Sequence, residues 1–205
     1  MELFFDTETS GLFDFKKDWH TKKDFPWIVQ IGAVLAEEGI AYAELNVIVK
    51  PEGRIIDEGA QKVHQISTEK ADETGIYEST VARIFAELIR QADTLVCHNW
   101  NFDSRLARGL FHRTKSVFCH DKLITKTPHY CTMLGTTKLC KLRGKYGLKW
   151  PKLQELHEFL FGEKFIGAHD AMFDIKATMK CYYELVERGW IKNEDKDLCK
   201  TGGRS

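Results

Sequence analysis

Apolar and polar positions fall along this chain in patterns that separate strands from helices. Glu2 to Phe5 is a short, mostly apolar run, and WIVQIGAVLAEE (27–38) and AYAELNVIVKP (41–51) are two more, parted by Gly39. Such runs predict strands, the second and third joined as a hairpin. In STVARIFAELIRQA, Val81, Ile84, Phe85, Leu88 and Ile89 recur at helical spacing. TLVCHN, from Thr94, predicts a buried strand of the parallel type, and FDSRLARGLFHR a helix after it. HYCTM suggests one more strand. LQELHEFLFG predicts a helix stopped at Gly162, and Asp170 to Arg188 a long final helix. Three strands followed by alternating helices and strands predict an α/β fold with a mixed sheet. FDFKKDWHTKKDF, between Leu12 and Pro26, has no clear period and reads as a long loop, more often functional than merely connecting.

Composition narrows the class. The chain has 205 residues, enough for one domain with a substantial core. We expect that domain over residues 1–192, with a polar tail over 193–205. Hydrophobic residues make up 43 % and charged residues 29 %, and no apolar run is long enough for a membrane span. No signal-peptide plan opens the chain, so a cytoplasmic protein is expected. The six cysteines are scattered without a C-x-x-C pair, which fits a reducing compartment. Cys119, His120, His129 and Cys131 lie near one another in sequence, but their spacing matches no common zinc site, and a loop with buried thiols is expected. Basic and acidic residues number 30 each, which argues against a general nucleic-acid coat. It leaves room for an enzyme with its basic residues gathered on one face.

The candidate chemistry begins with FFDTETSGL. Side chains two apart on a strand point the same way, so Asp6 and Glu8 project side by side. They sit near the strand's carboxyl end, where open α/β sheets bind ligands. Adjacent like charges are tolerated when a cation lies between them, and oxygen-only donors suit Mg²⁺ or Mn²⁺. By itself D-x-E is equally a solvated strand end. Asp103 follows a buried strand at a helix start, where a helix-dipole acid is the plain alternative. His169, Asp170 and Asp174 open the last helix, with Asp170 placed as an N-cap.

Taken in order, D-x-E, then D, then H-x-A-x-x-D resembles the DEDDh 3′→5′ exonucleases, the family of the polymerase III epsilon subunit and ribonuclease T. FFDTETSGL is similar to that family's first motif, LVCHNWNFD to the second and GAHDAMFD to the third. VIVKPEGRIIDEGAQKVHQI resembles the third strand and the segment after it. The resemblance covers nearly the whole chain and implies a ribonuclease H-like, mixed five-stranded sheet flanked by helices. It implies two divalent ions, Mg²⁺ or Mn²⁺, held by Asp6, Glu8, Asp103 and Asp174, with His169 as general base. It also implies substrate contacts from Thr7, Leu12, His64 and Asn99. His64 reads equally as a helix-end residue capping carbonyls. The implied substrate is the 3′ end of single-stranded DNA, with RNA on the same scaffold as the alternative. Both a stand-alone enzyme and one working beside a DNA polymerase stay open, in replication, proofreading or repair. KLCKLRGKYGLKWPK (138–152) is the one strongly basic stretch, interleaved with Tyr146 and Trp150. It is either a single-strand grip or a solvated helix face followed by a loop. Lys16, Lys17, Trp19, Lys22 and Lys23 in the 13–25 loop invite the same two readings.

Overall fold

Strand β1 (Glu2–Thr9) runs through the middle of a five-stranded sheet. A computed structural model describes residues 1–12, 25–114, 121–166 and 171–191, leaving aside the side chains of 121 and 122. The strand extends past the apolar run that ended at Phe5, so Asp6 and Glu8 lie inside it. On one side β1 pairs antiparallel with β2 (Ile28–Glu37), which turns through Glu38 and Gly39 into β3 (Ile40–Ile48). Both turn residues have positive φ, +52° and +84°, which a tight hairpin requires. On the other side β1 pairs parallel with β4 (Thr94–Cys97), and β4 with β5 (His129–Cys131). The sheet order is β3-β2-β1-β4-β5, the mixed five-stranded arrangement expected from the sequence.

Helices cover both faces. Between β3 and β4 come α1 (Glu58–His64), α2 (Thr68–Thr74) and α3 (Glu78–Gln91). After β4 comes α4 (Trp100–Arg113), then α5 (Asp121–Lys126) before β5 and α6 (Thr132–Cys140) directly after it. A small hairpin, β6 (Arg143–Gly144) with β7 (Gly147–Leu148), precedes α7 (Leu153–Phe161) and α8 (Ala171–Glu187). Strand alternation splits β1 between two cores. Leu3 and Phe5 join Val81, Phe85 and Ile89 of α3 and Leu106 and Leu110 of α4. Phe4 joins Leu156 and Leu160 of α7 and Ile175, Tyr182 and Leu185 of α8. Each such buried side chain contributes roughly 1.5–3 kcal/mol. Ile84, expected on the buried stripe of α3, is 41 % exposed, because Ala82 and Ala86 turn inward instead.

Two features fix the helices that flank β1. Glu78, buried at the start of α3, accepts from Arg54 Nη1 at 3.1 Å and from Arg113 Nε and Nη2 at 2.9 and 2.7 Å. That trio ties the loop after β3 to α3 and to the far end of α4. Against β2, α8 packs at Gly32, where even a methyl group would meet Ile175 and Ala171. A glycine inside an otherwise apolar strand marks such a close approach.

Short elements escaped the sequence pattern. Helices α1 and α2 have seven residues each, too few to show a period. Within 138–152, helix α6 stops at Lys141, which has φ +51°, and the rest is a hairpin instead of a plain loop. The loop residues 13–24, Cys119 and His120, and the tail 193–205 lie outside the described residues.

Candidate active site

The ladder between β1 and β2 carries Asp6 opposite Gly32 and Glu8 opposite Gln30. Both acids face the side on which α8 packs, and Asp174 lies in the first turn of α8. The three carboxylates bring one oxygen each within 4.8 Å of one another. Strand period and helix start thus deliver three acids to one point, as the motif order implied. The donor set is all oxygen, and three carboxylates this close repel unless a cation lies among them. That chemistry fits a hard divalent ion such as Mg²⁺ or Mn²⁺.

Asp103 reaches the same place from the opposite face of the sheet. Strand β4 pairs with β1 only alongside Glu2 to Phe4. Beyond that point the first turn of α4 comes up to β1, and Thr7 Oγ1 donates to Asp103 Oδ1 at 2.7 Å. Asp103 is 2 % exposed, and burial raises its carboxyl to about 7, against the opposing pull of the Thr7 hydroxyl and backbone N–H. Asp6 is pushed well above the usual carboxylate range, first by burial, then by the charges of Asp103, Asp174 and Glu8. The four acids therefore form one electrostatic unit, although Asp103 is not among the three that share the tight oxygen cluster. His169 lies outside the described residues.

A cleft of about 600 Å³ opens beside the acids, a volume suited to a small organic group. Its lining includes Thr7, Glu8, Thr9, Leu12, Val63, His64 and Phe102. Leu12 stands 90 % exposed at the lip. At the end of α1, His64 points its Nε2 to the Thr9 carbonyl at 3.2 Å, while its Nδ1 accepts from the Ile66 N–H at 3.1 Å. These bonds require the neutral ring, and burial lowers its pKa. The ring therefore both lines the cleft and pins the end of β1 to α1, so the two readings of His64 hold together. Thr7 borders the cleft, but its side chain is spent on Asp103. Asn99 is the N-cap residue of α4, its carbonyl accepting from Phe102 and Asp103, and it does not line the cleft.

The sequence reading missed Gly32, Val63, Phe102 and His98. Gly32 was detectable as a lone glycine in a strand, and Phe102 as the neighbour of Asp103. His98 sits just past β4, and Thr132 Oγ1 lies 2.9 Å from its Nδ1, while its Nε2 donates to the Pro151 carbonyl at 3.0 Å. Its role comes from contacts more than thirty residues away, which no local pattern carries.

Residues 3–182 match a protein family, RNase T, described as exonuclease. Solved structures with the same fold include Escherichia coli exonuclease I in complex with a dA16 oligonucleotide, at 19 % identity and a TM-score of 0.70. That alignment covers 96 % of this chain and 42 % of the other. The zinc-bound form of the E. coli exonuclease I–single-stranded DNA complex aligns at 22 % identity and a TM-score of 0.65, covering 91 % and 40 %. Exonuclease I from Methylocaldum szegediense aligns at 21 % identity and 0.66, again covering 91 % and 40 %. The chain thus spans about two fifths of the length of these structures. No curated protein matches the sequence.

Proposed function

The chain belongs to the RNase T exonuclease family, and from that premise we propose that it is a metal-dependent 3′→5′ exonuclease releasing nucleoside monophosphates from single-stranded DNA. The observation that carries the reading is the convergence of Asp6, Glu8 and Asp174 within 4.8 Å beside a cleft of about 600 Å³. The exonuclease domain would span residues 1–192. Removal of 3′-terminal nucleotides serves proofreading, repair and replication alike, alone or beside a DNA polymerase.

Asp6, Glu8, Asp174 and Asp103 would together hold two divalent ions, Mg²⁺ or Mn²⁺. When bound, such a pair supplies an activated water and neutralises charge on the leaving oxygen. The chain's own side chains do the rest. Thr7 holds Asp103 in place through its hydroxyl. Leu12, Val63 and Phe102 offer an apolar wall to the terminal nucleotide. His64, kept neutral, shapes the wall without adding charge. His169 would take the water's proton, a role that the intrinsic pKa of an imidazole, about 6.5, suits near neutral pH. No helix among the described residues is long and apolar enough to cross a membrane.

The test is cleavage of 5′-labelled single-stranded DNA and matching RNA with Mg²⁺ or Mn²⁺, then with chelator. Stepwise shortening of the DNA from its 3′ end, abolished by chelator and by Asp6→Ala, is expected. Shortening of RNA alone would replace the DNA reading with the RNA one. Wild-type rates in a folded Asp6→Ala protein would overturn the metal assignment.

A further inference from the structure

We propose that the β6–β7 hairpin is the arm that grips the single strand upstream of the 3′ end being trimmed. The inference rests on the exonuclease reading and extends it to a surface outside the cleft.

Charge is the first observation. The whole chain is neutral, yet Lys141, Arg143, Lys145, Lys149 and Lys152 fall within twelve residues that contain no acid. Lys149 is engaged with Glu155 on α7 and braces the hairpin stem. Lys141, Arg143 and Lys145 stand exposed. Exposed apolar surface is the second. Tyr146 is 92 % exposed, Leu148 51 % and Trp150 61 %. Three large side chains left in water on one small arm mark a contact surface. Lys145 Nζ lies 5.3 Å from the Tyr146 ring centroid, so cation and ring are presented together. Aromatic rings for bases beside cations for phosphates are how a single strand is held without sequence readout.

Placement is the third observation, and it decides the occupant. Among the described residues, the two strands of the hairpin pair only with each other. Backbone bonding continues from Lys149 N to the Leu142 carbonyl at 2.9 Å, which stiffens the stem. At its exit the Pro151 carbonyl is held by His98, one residue before the cap of α4 and five before Asp103. Burial lowers the His98 pKa to about 4, so the clamp stays neutral and oriented. The arm is thus rooted at the carboxyl edge of the sheet that supplies the acids. A strand whose 3′ end lies at the acids has its phosphates and bases continuing outward from that edge.

Two double variants test this, Tyr146→Ala/Trp150→Ala and Arg143→Glu/Lys145→Glu, both on exposed positions. Binding of a labelled oligothymidine of about twelve nucleotides is followed by anisotropy with chelator present, and cleavage is measured on that oligomer and on a dinucleotide. The aromatic variant should weaken binding about tenfold or more. The charge variant should reduce the slope of log affinity against log salt by about 1–1.5. Dinucleotide cleavage should stay at the wild-type rate in both. Unchanged oligomer affinity in both variants, or dinucleotide cleavage falling in step with oligomer cleavage, overturns the assignment. A wild-type protein that binds the oligomer through the hairpin yet cleaves nothing with either metal refutes the exonuclease reading and leaves the grip standing.

Discussion

Replacing Gly32 by alanine should loosen the acid cluster without unfolding the protein. Gly32 sits opposite Asp6 in the β1–β2 ladder. A Cβ there would lie 2.4 Å from Ile175 Cδ1, 3.3 Å from Ala171 Cβ and 3.4 Å from the Ala171 carbonyl carbon. The Ile175 methyl is the end of a flexible side chain and can rotate away. Ala171 is the first residue of α8 and cannot move without moving the helix start. Carbon atoms settle at about 3.5–4.0 Å, so that turn must retreat by roughly 0.2–0.7 Å. Asp174 is carried on the same turn. Metal-ligand distances tolerate only about 0.2 Å, so the apparent affinity for Mn²⁺ should fall about tenfold, and the cleavage rate with it. Stability should fall by a net of about 0–2.6 kcal/mol, which leaves the protein folded. Overpacking costs about 1–3 kcal/mol, and the lost glycine freedom of the unfolded chain returns about 0.4–1 kcal/mol. The assay is DNA cleavage across a Mn²⁺ titration, with a thermal melt for each protein. Adding Ile175→Val removes the Cδ1 clash and should restore activity only in part, because Ala171 remains. A folded Gly32→Ala protein with wild-type rate and metal requirement would show that the approach of α8 to β2 does not set Asp174.

Three further outcomes are expected. Thr7→Val deletes the buried donor to Asp103, so stability should fall by about 1.5–3 kcal/mol and cleavage with it, while Thr7→Ser keeps both; a valine protein matching wild type in melt and rate contradicts the positioning role. Asp6→Asn removes one of four mutually repelling charges, so in chelator it should melt above wild type; saturating Mn²⁺ at about 100 times Kd should raise the wild-type Tm by about 5–10 °C and leave the variant unmoved, and an equal response would count against the site. His98 has a folded pKa of about 4, below its ordinary value, so the unfolded chain takes up a proton first as pH falls. Its contribution is complete above about pH 6.5 and is lost toward pH 4, by up to about 3 kcal/mol. Denaturant melts at pH 7, 5 and 4 should show a flatter profile in His98→Gln, and a profile identical to wild type would remove His98 as the source.

Residues with a short-range signature were legible before the structure. Asp6 and Glu8 announce their common face through the two-residue period of a strand, and Asp174 its place through a long periodic helix. The helices α3, α4, α7 and α8 fall close to their apolar spacing. What failed to show had its cause elsewhere in the chain. The end of β1 looked like a change from apolar to polar at Asp6, but pairing with β2 carries the strand to Thr9. Thr7 also borders the cleft, but nothing in FFDTETSGL reveals that its hydroxyl meets Asp103 of α4. The hairpin at 143–148 is too short for any period, and its two glycines read as a loop.

The chain positions of the acids carry a consequence for how the protein is made. Asp6 and Glu8 are translated well before Asp174, and most of the described residues lie between them. Helix α8 can dock on β1 and β2 only once it is made, so a nascent form ending before it carries two acids on β1 in place of the three-carboxylate cluster. Emergence of α8 thus acts as a safety catch. The acid cluster is completed only when α8 joins the strands that emerged before it.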